Sequence, residues 1–214
     1  MFRDRRHAGE LLAERLSHYQ ERAETVVLAL PRGGVPVGAA TAGALGLPLD
    51  VLVVRKIGAP EQPELAVGAV AGGGVVVIDE RTVAAMGIAR ATLDFAVARE
   101  REELARRERV YRGGRPPLKL AGWTVILVDG GLATGYTMLA AVRCARLYGP
   151  ARVVVGVPVA PPETLERLEG EADEVCCVHV AKRLVAVGAF YDDFSQVSDE
   201  EVCAELARLR TATG

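Results

Sequence analysis

The segment from Thr124 to Met138 carries the residues with the clearest chemical potential. Four apolar residues run into Asp129, which is followed by a turn rich in glycine and threonine and then by a helical pattern that begins near Gly135. The first N–H groups of a helix lack intrahelical partners and carry partial positive charge, so they can hold a phosphate. Thr134 and Thr137 add hydroxyl donors. From the residues alone, phosphate binding and an ordinary strand-to-helix turn remain equally open.

Two further sequences place glycines or cations at the ends of predicted strands. The apolar run Val26–Leu30 breaks at Pro31–Gly34, and a second predicted strand, Asp50–Lys56, ends in the two cations Arg55 and Lys56. Open α/β sheets bind ligands at the carboxyl ends of their strands. For Arg55 and Lys56, a solvated strand end is the alternative to a ligand-binding role.

The elements that must position these residues alternate between strand and helix, which predicts a parallel β-sheet flanked by helices in an α/β fold. The length fits a single domain over residues 1–214, with a core over about 24–160 and a helical segment over about 80–112. Helices are also predicted over 7–22, from about Pro36 to Gly46, and over 135–147, and short strands over 75–78 and 153–157. Glycines and two prolines predict a loop or loose hairpin over residues 57–74.

The Asp129–Thr137 turn resembles the phosphoribosyl pyrophosphate signature of type I phosphoribosyltransferases. Asp129, Thr134, Gly135 and Thr137 match it. In addition, Leu30–Gly34 resembles the pyrophosphate-binding loop of that family, and Val53–Lys56 resembles its basic strand end. The matches occur in the expected order over residues 26–160.

The resemblance implies transfer of 5-phosphoribose from phosphoribosyl pyrophosphate to a nitrogenous base or related acceptor, with Mg²⁺ as cofactor and release of pyrophosphate. The loop 57–74 would be a lid. The catalytic residues that it implies are Asp129, Lys56, Arg55 and Glu64, and the metal ligands are Asp129 and Asp193. The substrate-binding residues are Arg32, Gly33, Gly34, Gly130, Gly131, Leu132, Ala133, Thr134, Gly135, Tyr136, Thr137, Phe190 and Tyr191.

Two positions depart from the family pattern. Gly130 replaces the second acid of the signature, which removes one acceptor for the ribose hydroxyls, although uracil-type members resemble this chain in that respect. Ala133 replaces the aspartate that 6-oxopurine members carry, which disfavours hypoxanthine, guanine and xanthine as acceptors. A binding module that senses a phosphoribosyl ligand without catalysis is the alternative function.

A small C-terminal hood is expected over about 174–198, followed by a C-terminal helix. The segment Val187–Gln196 holds three aromatic and two acidic residues, and it loosely resembles the part of hypoxanthine-type members that closes the base site. Phe190 or Tyr191 would stack on a planar ring. A turn with buried anchors is the alternative. Ser198 and Glu201 have the spacing of a capping box, which predicts a helix from Ser198.

Composition and charge argue against several classes of protein. The formal net charge is −2, which gives no general attraction to nucleic acid or anionic membranes, and no apolar run reaches membrane-spanning length. No signal peptide is predicted, so we expect a cytoplasmic protein. Four cysteines without C-x-x-C spacing indicate buried thiols rather than a metal site. A homodimer is an assembly that the sequence leaves open.

Overall fold

The computed structural model describes residues 1–63, 65–113 and 118–212. Its strands are β1 Thr25–Ala29, β2 Leu49–Val51, β3 Val54–Gly58, β4 Ala66–Ala71, β5 Val76–Ile78, β6 Thr124–Val128, β7 Arg152–Ala160 and β8 Glu174–Val180. Its α-helices are α1 Arg5–Arg15, α2 Gly34–Leu45, α3 Glu80–Ala85, α4 Arg90–Arg112, α5 Tyr136–Arg146, α6 Pro162–Glu169 and α7 Asp199–Ala212.

Five strands form a central sheet in the order β2-β1-β6-β7-β8, with every neighbouring pair parallel. Successive side chains of a strand point to opposite faces. Accordingly, Val27 and Ile126 pack with α1 and α2 on one face, whereas Leu28 and Leu127 pack with α5 and α6 on the other. The predicted parallel sheet flanked by helices is confirmed, and its two buried faces explain why its strands read as continuous apolar runs.

A second, antiparallel sheet in the order β3-β4-β5 corrects two predictions. The strand predicted over Asp50–Lys56 is two strands, since β2 ends at Val51 in the central sheet and β3 begins the second sheet. The unbroken apolar run there gave no signal for the change of sheet. Residues 57–74, predicted as a loop or loose hairpin, do take part in a hairpin, since β4 pairs antiparallel with β3. What the prediction missed is that β4 is a regular strand, all of it buried. Its Gly68 suits a packed strand because a Cβ there would lie 2.3 Å from the Val77 carbonyl oxygen.

The segment predicted as helical over about 80–112 is helical, but it consists of two helices, α3 and α4, instead of one. Gly87 adopts a left-handed conformation with φ +62° and ends α3. The Ile88 N–H donates back to the Val83 carbonyl at 3.1 Å, as in helix terminations of this kind. The first predicted helix is shorter than expected, because α1 ends at Arg15 and a short 3₁₀ turn, Ser17–Tyr19, follows it.

The C-terminal region combines a core strand with the candidate hood. Residues 174–180, which the sequence assigned to the hood, form β8 at the edge of the central sheet. The capping box at Ser198 is confirmed: its N–H donates to Glu201 Oε2 at 2.6 Å, and the Glu201 N–H donates to Ser198 Oγ at 3.1 Å. Within the described ranges, no helix is long and apolar enough to cross a membrane.

Candidate functional site

Two loops meet at the carboxyl end of the central sheet. Asp129 follows β6 directly, is half-buried, and its Oδ1 accepts the Gly130 N–H at 2.7 Å. A Cβ on Gly34 would lie 2.8 Å from the Val128 carbonyl oxygen and 3.1 Å from Asp129 Oδ1. Such contact distances leave no room for a side chain. The glycine loop after β1 and the turn after β6 are therefore in contact, as the family resemblance implies.

The turn leads into α5, and no side chain caps the start of this helix. Gly135 adopts φ +77°, and its carbonyl accepts the Leu139 N–H at 2.9 Å, so the N–H groups of the first turn have no helical partner. Among the residues that the structure describes, the hydroxyls of Thr134 and Thr137 also have no hydrogen-bond partner. The turn thus presents main-chain and hydroxyl donors together at the positive end of a helix dipole.

Residues distant in sequence hold the turn in this shape. The Thr164 hydroxyl donates to the Ala133 carbonyl at 2.7 Å, and Arg167 donates to the Thr134 carbonyl at 2.7 Å. The Tyr136 hydroxyl donates to Asp79 at 2.6 Å. These three supports could not be predicted from the turn itself, because they come from α6 and from the N-cap of α3.

Gly131 and Leu132 complete the turn. Gly131 has φ +145°, and a Cβ there would lie 2.6 Å from a methyl carbon of Val187 and 2.8 Å from one of Val159. The Leu132 N–H donates to the Val159 carbonyl at 2.8 Å, and its side chain is buried. These two substrate-binding candidates therefore anchor the turn to β7 and to the hood, through backbone and packing contacts.

Asp129 titrates in an unusual range. Burial raises its pKa to about 7, while the Gly130 N–H and the positive charge of Arg5 act in the opposite direction. A carboxyl group with this pKa is partly protonated near neutral pH. Strongly shifted groups cluster at functional sites, which supports Asp129 as the central side chain of this one.

The shift also predicts how stability depends on pH. The folded state holds the Asp129 proton up to about pH 7, whereas the ordinary value is 3.8. Between these values the folded state binds more protons, so this group's contribution to the free energy of unfolding should decrease as the pH rises from about 4 to above about 7. Asp129→Asn should lack that contribution. Urea unfolding of both proteins at a series of pH values across that interval measures the difference, and parallel pH profiles would contradict the assignment.

Of the two predicted cations, Arg55 is already paired with an acid of α4. Arg55 donates from Nε and Nη2 to Glu100 Oε2, at 3.0 and 2.8 Å, and Glu100 is buried on α4. Arg55 and Lys56 line a cavity with Pro60 and Phe95, away from the Asp129 turn. The structure therefore does not bring Arg55 to the turn, because β3 belongs to the second sheet.

Three other site candidates are Arg32, Gly33 and Glu64. Arg32 lies in the glycine loop and pairs with Asp199 of α7 at 3.7 Å, with its side chain 30% exposed. Gly33, beside it, is open enough to carry a Cβ in ordinary contact with Arg5. Glu64, the predicted catalytic acid of the lid, lies outside the described residues.

The aromatic candidates of the hood serve partly as anchors. Tyr191 is buried and its hydroxyl donates to the Gly130 carbonyl at 2.6 Å. Phe190 packs against His179, with 5.3 Å between the ring centroids. Phe194, which the sequence analysis did not select, also adjoins the site, since a carbon of its ring is 3.9 Å from where a Gly130 Cβ would be. Phe194 is also 37% exposed and thus accessible.

Arg5 is the second residue that sequence reasoning missed. Its guanidinium stacks on the Phe194 ring at 3.8 Å, and Nη1 donates to the Ser195 carbonyl at 2.7 Å. The available signal was the cluster of basic residues around Asp4, which caps α1 by accepting the His7 N–H at 2.8 Å. Nothing in the sequence linked that cluster to a segment 190 residues away.

A cavity of about 350 Å³ adjoins the turn on the side of α6. Its lining includes Ala133, Thr134, Asp79, Pro161, Lys182 and Leu184. Burial raises the pKa of Asp79, but hydrogen bonds from Thr82 and Tyr136 outweigh it and leave the pKa below its ordinary value. Asp79 therefore stays a carboxylate in this cavity, with its oxygens occupied by these donors.

Asp129 and Asp193 are the predicted magnesium ligands. The described part of the chain contains no group of three or more potential metal ligands. Mg²⁺ commonly uses one or two protein carboxylates together with phosphate oxygens and water. Asp129, in the turn that leads to the free N–H groups of α5, fits that arrangement. Asp193 is exposed and accepts the Ser195 N–H at 2.9 Å, so it remains a second candidate at the rim.

The parallel sheet, its flanking helices and the strand–turn–helix at Asp129 define the type I phosphoribosyltransferase fold. A family model described as a phosphoribosyl transferase domain matches residues 4–193. The chain belongs to this family.

Known proteins resemble this chain to different degrees. The protein named "Putative phosphoribosyl transferase" in Mycobacterium tuberculosis strain H37Rv is 45% identical over 208 residues, which are 97% of this chain and 47% of that relative. The chain thus spans about half the length of the curated relatives it matches. The crystal structure of TT1426 from Thermus thermophilus is 47% identical, with a TM-score of 0.79 over 97% of this chain and 98% of that one. The AQ2163 protein from Aquifex aeolicus shares the fold, at 15% identity, a TM-score of 0.50 and coverage of 82% and 74%.

Proposed function

We propose that this protein is an enzyme that transfers 5-phosphoribose from phosphoribosyl pyrophosphate to a nitrogen atom of a small acceptor. The observation that carries the proposal is the uncapped start of α5, with two free threonine hydroxyls, at the end of the turn that begins with the half-buried Asp129. A sugar 5-phosphate would occupy the helix start, and Asp129 would accept hydrogen bonds from the ribose hydroxyls. Family membership supports this interpretation.

In the proposed reaction the acceptor nitrogen forms a bond to carbon 1 of the ribose while the bond to pyrophosphate breaks. The bond electrons leave with pyrophosphate, and the acceptor later loses its proton. Positive charge develops on the sugar, so the Asp129 carboxylate stabilises the transition state electrostatically. The N–H group of Gly33, with Arg32, would receive the leaving group, because the Gly34 N–H already donates to the Leu30 carbonyl at 3.1 Å. Arg55 is less suited to that role while Glu100 holds it.

Magnesium would be held by Asp129, with Asp193 at the rim, and would neutralise charge on the pyrophosphate. The chain's own residues supply the remainder: they bind the phosphate, orient the ribose and exclude water under the hood. Tyr191 supports this arrangement because it fixes the Gly130 carbonyl at 2.6 Å.

The acceptor would enter the cavity beside Ala133. In that cavity Ala133 offers no carboxylate, and the oxygens of Asp79 are occupied by Thr82 and Tyr136. We therefore expect uracil-like, adenine-like or less common acceptors to exceed hypoxanthine, guanine and xanthine by at least roughly tenfold in kcat/KM, about 1.4 kcal/mol. Steady-state assays on matched panels measure this, and efficient turnover of guanine would refute it.

The test of the function itself is magnesium-dependent pyrophosphate release, screened over purines, pyrimidines, orotate and simple amines. Release that requires one acceptor class would support the enzyme. The sensor alternative, which the missing acid at Gly130 favours, predicts a rise in melting temperature with phosphoribosyl pyrophosphate but no pyrophosphate release with any acceptor. No melting shift and no release would contradict both.

A further inference from the structure

We propose that Asp199 is a positioning residue of this site: it holds the Arg32 guanidinium in one place at the glycine loop Pro31–Gly34, where pyrophosphate would meet it, and Tyr111 in turn holds Asp199. The inference rests on the proposed function, in which Arg32 receives the leaving group. Asp199 is the first residue of α7, and Tyr111 belongs to the last turn of α4. Neither would contact the substrate, and both would act through Arg32.

Asp199 pairs with the cation of the glycine loop. Arg32 Nη1 lies 3.7 Å from Asp199 Oδ1, and the two side chains are 30% and 28% exposed. A ligand in solution can therefore reach this pair. Among the contacts of the described residues, the pair engages one nitrogen of Arg32, whereas a guanidinium carries several N–H donors. Donors thus remain for the oxygens of a phosphate group while Asp199 keeps its contact.

The main chain of the glycine loop is fixed without Asp199, but the Arg32 side chain is not. The Gly34 N–H donates to the Leu30 carbonyl at 3.1 Å, and the Val35 N–H donates to the Arg32 carbonyl at 3.0 Å. These bonds place the backbone of Arg32, whose long side chain could still occupy many rotamers. Ordering such a side chain when a ligand binds costs conformational entropy and lowers the affinity. An ion pair that is formed before the ligand arrives reduces that cost.

Tyr111 anchors the Asp199 carboxylate to the core. Its hydroxyl donates to Asp199 Oδ1 at 2.5 Å, and this is the same oxygen that pairs with Arg32. Tyr111 is buried and belongs to the same apolar cluster as Val202 and Leu206 of α7. Burial, together with the hydrogen bond to Asp199, raises the pKa of Tyr111 to about 12, so its hydroxyl stays protonated and can donate.

The backbone at Asp199 is fixed as well. The capping box formed by Ser198 and Glu201 closes the first turn of α7, and Val197 and Val202 on either side of Asp199 are buried. Asp199 therefore cannot follow a moving arginine, and the pair defines one position for the guanidinium. Through this pair, α4 and α7 determine the geometry of the loop that would bind pyrophosphate.

The negative charge of Asp199 has an opposite effect, because it repels pyrophosphate. Removal of the whole side chain would mix the two effects. Asparagine and alanine both remove the charge, but asparagine keeps an oxygen that can accept from Arg32 and from Tyr111. A comparison of Asp199→Ala with Asp199→Asn is therefore made at equal charge and isolates the positioning of Arg32.

The experiment measures the dissociation constant of magnesium pyrophosphate by isothermal titration calorimetry. We expect Asp199→Ala to bind about three- to tenfold more weakly than Asp199→Asn, and Tyr111→Phe to bind about two- to threefold more weakly than wild type. Glu200→Ala is the matched control, because it removes an exposed acid from the same turn of α7. It should stay within about twofold of wild type. In turnover, the difference between Asp199→Ala and Asp199→Asn should appear in KM for phosphoribosyl pyrophosphate rather than in kcat.

The same two substitutions are then made together with Arg32→Met. Without the guanidinium, Asp199→Ala and Asp199→Asn should bind pyrophosphate equally. A difference that persists without Arg32 would reveal a general effect of alanine on α7 and would overturn the proposal. Equal affinities of the two variants while Arg32 is present would also overturn it, and wild-type affinity in Tyr111→Phe would contradict the part assigned to Tyr111. If Asp199→Ala does not fold, Asp199→Ser takes its place in the same titration.

The binding measurement needs no acceptor, which separates this proposal from the proposed function. A protein that binds magnesium pyrophosphate but transfers phosphoribose to no acceptor would contradict the proposed function, and the two Asp199 variants would still decide whether Arg32 is positioned by Asp199. A wild-type protein that does not bind magnesium pyrophosphate would overturn both.

Discussion

Asp129→Asn is expected to reduce kcat/KM for phosphoribosyl transfer by about 10²–10³-fold. Asparagine has nearly the same shape, and its side-chain oxygen can still accept the Gly130 N–H that Asp129 Oδ1 now accepts at 2.7 Å. The substitution therefore removes the negative charge with little change of geometry. That charge is what would stabilise the positive ribose of the transition state, so the loss should appear mainly in kcat.

The measurement is steady-state pyrophosphate release with the acceptor found in the screen, at a pH well above about 7 so that the wild-type carboxyl is ionised. Asp94→Asn is the matched control, because it removes the same charge from a side chain that is 61% exposed on α4. It should stay within about twofold of wild type. A loss below about threefold in Asp129→Asn would remove Asp129 from the catalytic centre.

The strand–turn–helix at Asp129 could be predicted because its signals are local. A buried strand, an acid, glycine at a left-handed position and two threonines follow one another within a few residues, and each has a direct conformational consequence. The central sheet was predictable for a similar reason, since its strands are buried on both faces and read as apolar runs.

Arg55 shows where local signals fail. The run from Asp50 to Lys56 continues as a strand by pattern, but hydrogen bonding divides it between two sheets. The partner that decides the role of Arg55 is Glu100, 45 residues away. Periodicity reports which face of an element is apolar, and it does not report which acid the fold will bury against a cation.

Arg5 and Phe194 illustrate the same limit at longer range. The sequence around each residue contains no sign of the other. The backbone hydrogen bonds between the N-terminal segment and the hood bring the two side chains together. The aromatic segment was recognised as a hood. However, which ring is accessible depends on burial: Tyr191 is 5% exposed, against 37% for Phe194.

Gly34→Ala is expected to abolish most of the melting-temperature rise caused by phosphoribosyl pyrophosphate with magnesium. The added methyl would lie 2.8 Å from the Val128 carbonyl oxygen and 2.9 Å from Asp129 Cα, both of them backbone atoms. These two backbone atoms cannot move without displacing β6 or the turn. The glycine loop must therefore move away from the turn, and the groups of that loop that would bind the ligand are displaced with it.

The matched control is Gly43→Ala in the same helix α2, where nothing lies within 4 Å of the new methyl. Alanine favours a helix interior by about 0.5–1 kcal/mol over glycine, so Gly43→Ala should melt slightly higher and keep the full ligand-induced rise. Gly34→Ala should melt lower without ligand, because separating the loops exposes packed surface. Differential scanning fluorimetry with and without a saturating ligand gives both quantities for both variants. An undiminished rise in Gly34→Ala would contradict this prediction. Since the added methyl must separate the glycine loop from the turn, such a result would show that binding does not need the contact between them.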